Sequence, residues 1–332
     1  MRFLALVCWL LALPAAAQDH VRSVEARVHP IERFHPFSGA TRFGRLEFLG
    51  GLHVASSDPL FGGWSGARML GERMVAISDA GYWFDARLLR EGGRLVGLRG
   101  LRVTPMLDEN GNRFRYKAEI DAEGFAYLPA GAYGKPPVLL GAAWIVSTER
   151  DIRLLRFEGD PFGARPARSR LATRPAAGLR GNRALEAVAL RMEPSPASIV
   201  TFSEDTRDAD GNIVGFVLLK KELRPLVVRK RGRFGITDAA FLPDGDLLLL
   251  ERRFDLAAGH GLRIRRIAGG TIRPGAVLDG EVLIEVGLPH QIDNMEGLAV
   301  SPHPRGHRLT LVSDDNRSLL QRTLVLEFLL EE

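Results

Sequence analysis

Apolar residues in this chain fall into short runs of five to eight, closed off by Gly, Asp and Asn turns such as "DENGN" (108–112) and "DADGN" (208–212). Sustained spacing at helical period is absent between them, so the runs predict short strands and an all-β fold. The runs also recur. "WSGARML" followed by "RMVAISDAG" is echoed by "AEGFAYL" with "AAWIVSTERD", "LEAVALRM" with "ASIVTFSEDT", "TDAAFLP" with "DLLLLERRF", and "MEGLAVSP" with "RLTLVSDDN". Each pair is followed by a third run: "WFDARLL", "IRLLRF", "IVGFVLL", "LRIRRIA" and "RTLVLEF". Aligning Ser65, Glu123, Glu186, Asp238 and Glu296 gives intervals of 58, 63, 52 and 58 residues.

Repeats of 50 to 60 residues, each holding a few strands, are the signature of β-propeller blades. Five blades are counted, and the stretch from Val21 to Gly50 leaves room for a degenerate sixth. The fifth unit ends at its third strand, so "RLEFLGG" (45–51) is expected to supply the fourth and close the ring. The Pro/Gly-rich stretches 159–182 and 269–280 read as inter-blade loops, leaving residues 18–332 as one propeller domain.

The start of the chain follows another logic. Arg2, the apolar "FLALVCWLLAL" and "AAA" before Gln18 form a signal peptide over 1–17. A periplasmic or secreted bacterial protein follows, with no stable membrane insertion after cleavage. The only cysteine, Cys8, leaves with that segment, which excludes disulfides, a thiol nucleophile and cysteine-ligated zinc. The formal charge of +5 is scattered, mostly on arginine. The one basic cluster, "RKRGR" (229–233), lacks interleaved aromatics, so no nucleic-acid surface is expected.

The chemistry lies in the acids. If each "EGLA"-like strand is innermost, its start lies beside the end of the antiparallel return strand. The return strands end in Asp79, Glu149, Glu204, Glu251 and Asp314, and the inner strands begin with Glu123, Glu186, Asp238 and Glu296. Nine carboxylates are therefore expected at one mouth of the central channel. Like charges that close cost on the order of 1–4 kcal/mol per pair at effective dielectrics of 80 to 20, so protons, arginines or a cation must intervene. Oxygen ligands alone favour a hard cation, Ca²⁺ first. Some of these acids fit equally well as turn caps. Arg150, Arg252 and Arg317 follow three of the acids and are candidates to hold an anionic substrate. His290 is a weaker candidate base. "DTRDADGN" (205–212) reads as a hairpin turn, and neither a Gly-x-Ser-x-Gly elbow nor a Ser-His-Asp triad is present.

With these residues in view, the chain resembles the bacterial "esterase-like activity of phytase" family. The likeness runs from "GRLEFLGGLHV" (44–54) and "DPLFGGWSGA" (58–67) through "LPDGDLLLLERRF" (242–254) to "DNMEGLAV" (293–300) and "LVSDDNRSLLQRTLVLEF" (311–328). The resemblance implies a secreted propeller with a phosphodiesterase- or phosphatase-like activity carried by recurrent acids. The matching positions are Asp79, Glu123, Glu186, Glu251, Glu296, Asp314 and Asp315, with Ser65 departing from the pattern in the first unit. The expected function is metal-dependent hydrolysis of a small anionic phosphate ester by a monomer. Glu123, Glu186, Glu296, Asp314 and Asp79 would hold the cation, and Glu251 or Asp315 would act as base. A lactonase or carboxylic esterase of calcium-propeller type, or a non-catalytic binding propeller, are the alternatives.

Overall fold

The structure is a computed structural model that describes residues 20–130, 141–149, 153–163, 166–171, 185–192, 198–219 and 222–332. The expected signal segment 1–17 and Arg150 lie outside the described residues.

Five antiparallel sheets stand in a ring, each starting with an inner strand and stepping outward. Blade 1 runs Trp64–Leu70, Arg73–Ser78, Tyr82–Glu91 and Arg94–Pro105. Blade 2 comprises Ala122–Leu128, Ala143–Thr148, Arg153–Glu158 and Ser169–Leu171. Blade 3 is built from Leu185–Arg191, Ser198–Arg207, Ile213–Leu219 and Glu222–Val228, with Val277–Leu278 added in parallel at its edge. Gly235–Phe241, Leu247–Asp255, Gly259–Ile267 and Glu281–Val286 make blade 4. Blade 5 contains Asn294–His303, Gly306–Asp314 and Thr323–Glu331, and its fourth strand is Leu46–Ala55 from the other end of the sequence. That pairing closes the ring as expected.

The N-terminal stretch forms no sixth blade. Arg27–Ile31 pairs outside Leu46–Ala55 on blade 5, and Arg22–Ser23 pairs outside Arg94–Pro105 on blade 1. Its residues instead cover two sheet edges that would otherwise present unpaired backbone groups.

Blades are covered on both faces, which is why their strands are near-continuous apolar runs. Eight of the nine residues of Thr323–Glu331 are buried. The core divides into clusters between neighbouring blades. Trp83, Phe125, Trp144 and Phe157 pack blade 1 against blade 2. Leu250, Ile264, Met295, Leu311 and Phe328 do the same for blades 4 and 5. Burying each such side chain stabilises by roughly 1.5–3 kcal/mol.

At the axis the inner strands crowd together. A Cβ added to Gly124 would stand 2.1 Å from the Glu186 carbonyl oxygen of the next blade, and one on Gly297 2.7 Å from the Ala67 nitrogen. Only glycine permits that approach. One turn further down, four blades present Ala126, Ala189, Ala240 and Ala299, whereas the equivalent position in blade 1 is Arg68. Its guanidinium reaches across the axis, and with these four alanines it lines a pocket at the end of the channel away from the acids. It pairs with both oxygens of buried Asp238 at 2.7 and 2.9 Å, donates to the carbonyls of Ala67, Val188, Ala239 and Leu298, and lies 5.2 Å from the centre of the Phe125 ring. One side chain thereby touches all five blades and plugs the channel below the acidic mouth.

Candidate functional site

Every inner strand carries a bulge near its start, where the register against the return strand slips by one residue. The bulged residues are Ser65, Glu123, Glu186, Thr237 and Glu296. A bulge re-aims a side chain out of the ladder, and here it turns these five toward the mouth. Local bonds hold them. Ser147 Oγ bonds both the Gly124 nitrogen (2.9 Å) and oxygen (3.1 Å), pinning the bulge of Glu123. Ser65 Oγ donates to the Ala122 oxygen at 2.7 Å, and Thr237 Oγ1 donates to the Met295 oxygen at 2.9 Å. Each therefore secures the residue just before the next blade's glutamate.

The return strands complete the ring, and here the structure departs from the sequence reading. Asp79, Glu149, Glu204 and Asp314 hold equivalent positions, but in blade 4 that position is Arg252. Asp238 and Glu251 are each one residue out of phase, and a one-residue step in a strand reverses the face. Asp238 faces the axis and Arg68. Glu251 is fully buried inside the blade, gripped by Arg265 at 2.6 and 2.8 Å and by Arg263 at 2.7 Å. It has no route to a substrate, which removes the basis for reading it as the general base.

The opposite happens at Asp121. The helical turn Lys117–Ile120 ends there at φ 23°, a left-handed conformation that Asp tolerates better than most residues. The Glu149 nitrogen donates to the Asp121 oxygen at 3.0 Å. This brings Asp121, Glu123 and Glu149 together, with one carboxylate oxygen from each within 4.8 Å of the others. Asp121 was not anticipated because no other repeat carries an acid there; its only signal is its place two residues before Glu123 in "DAEG" (121–124).

The charges are unevenly balanced. Arg252 lies among the acids, 3.1 Å from Glu296, 3.0 Å from Glu204 and 2.8 Å from the Asn294 side-chain oxygen. Lys117 meets Asp79 at 2.5 Å and Asp121 at 3.4 Å. Burial, then the carboxylates of Glu186, Asp121, Glu296 and Glu149, holds Glu123 well above the usual carboxylate range. Glu186 is raised in the same way by burial and by Glu296, Glu204 and Glu149. Burial lifts Glu296 to about 8 although Arg252 opposes it, and lifts Asp314 to about 7 although the Asn316 N–H opposes it.

The remaining candidates stand at the rim. Asp315 accepts hydrogen bonds from the Gly63 and Arg317 nitrogens and from Thr323 Oγ1, as a turn-capping carboxylate does. Arg317 donates to the Pro59 oxygen at 3.1 Å and is exposed. His290 packs against Phe34, His35 and Phe43 on the flank of the ring. Asp208 caps the hairpin of 205–212 as expected, through the nitrogens of Asp210 and Asn212. Among the described residues no helix is long and apolar enough to cross a membrane.

Comparison with known proteins agrees with this architecture. Among solved structures, a thermostable family-43 glycoside hydrolase superposes with a TM-score of 0.50 at 12% identity, covering 83% of this chain and 93% of its own. A luciferin-regenerating enzyme gives 0.41 at 11% identity over 81% of this chain and 91% of its own. Sqt1 from Saccharomyces cerevisiae gives 0.37 at 10% identity, with 85% and 79% covered. At such identities the first of these likenesses speaks to fold alone. No curated protein matches the chain. A family match does, over residues 59–317, a span that takes in the mouth acids and all five inner strands. The chain belongs to the Phytase-like family, described as the esterase-like activity of phytase.

Proposed function

We propose that this protein is a hydrolase of phosphate esters whose reaction centre is the acidic mouth, with a divalent cation held by Asp121, Glu123 and Glu149. The observation that carries the reading is the meeting of those three oxygens within 4.8 Å. Ligands about 2.4 Å from a Ca²⁺ ion lie no more than about 4.8 Å apart, so the spacing fits. The donor set fits too, being oxygen only, and Glu186 and Glu296 stand close enough to shift the titration of Glu123. When bound, such an ion polarises a phosphoryl oxygen and lowers the pKa of a bound water.

The chain's own groups supply the rest. Arg252 presents a guanidinium at the mouth for a second substrate oxygen, already oriented by Asn294, Glu204 and Glu296. Arg317 at the rim meets the charge of the incoming ester. With Glu251 buried and both oxygens of Asp315 taken up by hydrogen bonds, proton transfer falls to Asp314, which gives one oxygen to the Asn316 N–H and shares the mouth with Arg252. The Arg68 plug excludes passage along the axis, so substrate enters and product leaves on the acidic side.

The test is protein purified without added divalent cations, assayed with aryl phosphates, aryl phosphodiesters, phytate, acyl esters and lactones. Ca²⁺ at about a hundredfold excess over its Kd stabilises by roughly 2.7 kcal/mol, a rise of several degrees in Tm that chelator reverses. Glu123→Gln is expected to abolish both this rise and phosphate-ester turnover. Turnover of lactones or acyl esters alone would move the reading to that chemistry, and no Ca²⁺ response at all would end the metal assignment.

A further inference from the structure

Large apolar side chains in full contact with solvent are uncommon on folded proteins, and here several gather on one side of the mouth. Leu319 and Leu320 are 105% and 93% exposed, Leu256 95%, Leu288 67% and Phe254 52%. Phe254 and Leu256 lie at the strand end and hairpin turn of blade 4, Leu288 on the connection from blade 4 to blade 5, and Leu319 and Leu320 on the hairpin loop of blade 5, at the end of the ring that carries Arg252 and Glu296. Those loops touch: Leu288 packs on Gly259, His260 stands 3.8 Å from Asp293, and Arg322 contacts Asp293 at 3.4 Å and the Gln291 side chain at 2.8 Å. Single exposed leucines need no explanation, but a group of them marks a surface that meets an apolar partner.

The charges beside them choose the partner. Arg317 and Arg322 bracket the Leu319–Leu320 pair, and Arg253 and Arg233 flank Phe254 and Leu256. The nearby acids are engaged, Asp315 in the turn with Gly63 and Thr323, Asp293 with Arg322, and Asp255 with Arg233 and the nitrogens of Ala257 and Ala258, which leaves Arg317 and Arg253 as the cations of this patch with no ion pair among the described residues. Apolar tips ringed by arginine fit the boundary of an anionic bilayer, the tips entering the acyl region and the guanidiniums meeting headgroup phosphates.

We infer that the blade 4–5 rim is a docking surface for anionic phospholipid, presenting the mouth to phosphate esters held at a lipid surface. The substrate half of this rests on the proposed hydrolase, whereas the docking half does not.

Full-length mature protein is co-sedimented with phosphatidylglycerol/phosphatidylcholine vesicles and with pure phosphatidylcholine vesicles. Binding is expected to favour the anionic vesicles and to fall with salt. The double variant Leu319→Ser/Leu320→Ser is expected to weaken it about tenfold or more, leaving Tm and the turnover of a soluble aryl phosphate unchanged. Leu219→Ser, on the opposite face, should bind like the unaltered protein. Glu123→Gln should still bind vesicles, which separates this inference from the fate of the hydrolase reading. Absence of vesicle binding, or binding indifferent to the leucine pair, overturns the inference. So does dimerisation abolished by the same variant without vesicle binding, since the rim would then face a second copy. Competition by inorganic phosphate that removes all binding would assign the arginines to free anions and overturns it too.

Discussion

At the scale of single residues, two glutamates of the repeated units do opposite work. Glu123 is a bulged residue among other acids, kept above the usual carboxylate range by burial and by its neighbours. Glu251 is a regular strand residue held by two buried arginines. Replacement by glutamine therefore has opposite expected outcomes. Glu251→Gln takes the close carboxylate from both Arg263 and Arg265 and leaves buried Arg265 only the longer contact to Asp279 at 3.4 Å, and breaking a buried pair costs up to about 3–5 kcal/mol. Denaturant unfolding should show that loss, while Ca²⁺ binding by the protein that remains folded is unchanged. Glu123→Gln removes one of several mutually repelling carboxylates, so the metal-free protein should be as stable as the parent or more so. Calorimetric titration should show Ca²⁺ affinity lost. If Glu251→Gln cost nothing and Glu123→Gln unfolded the protein, the assignment of structural and functional acids would be reversed.

At the scale of the strand, the bulge is what converts a repeated sequence into a site, and its legibility differed between blades. The five repeats and the N-terminal closing strand were readable because sandwiched strands demand apolar runs and turns demand Gly, Asp and Asn. The register of blade 4 was misread because acids happen to stand one residue from both ring positions. A better ruler was present: Pro129, Pro243 and Pro302 each stand six residues after the bulged Glu123, Thr237 and Glu296. It places Thr237, not Asp238, in the ring, and Arg252 beside it. Asp121 was not legible, because a helical turn that leads, among the described residues, only into blade 2 delivers it, and Arg68 was hidden among alanines that matter only by being small. The glycine after the bulge carries a prediction of its own. Gly124→Ala puts a methyl 2.1 Å from the Glu186 carbonyl, and relieving such overpacking typically costs about 1–3 kcal/mol. The shift falls on the strand bearing Glu186, so Ca²⁺ affinity should drop together with Tm. Gly39→Ala, with nothing within 4 Å, should change neither.

At the scale of the whole molecule, the ring is a device for forcing acids together, and its cost should be visible as a pH dependence of stability. Glu296 titrates near 8 in the folded chain against an ordinary 4.5, and Asp314 near 7 against 3.8. An acid whose folded pKa is raised binds its proton more tightly in the folded state. Its stabilising contribution is complete below the ordinary pKa and is lost as pH rises through the raised one. For Glu296 the span corresponds to on the order of 3–5 kcal/mol. Histidines act in the other direction: burial lowers His53, His260 and His303, so they restore stability as pH rises toward 6.5 and contribute nothing further above it. Between about pH 6.5 and 8 the mouth acids therefore act alone, and the metal-free protein should lose stability across that window. Ca²⁺ held by Asp121, Glu123 and Glu149 takes the place of the proton on Glu123, and its charge favours ionisation of the neighbouring acids, so saturating ion should flatten the slope, and its affinity should climb over the same range as protons are released on binding. Melting curves at a series of pH values, with chelator and with Ca²⁺, measure both. A chelated protein as stable at pH 8 as at 6.5 would mean that the acids already hold their charges apart, and that the five-bladed ring needs no cation at its mouth.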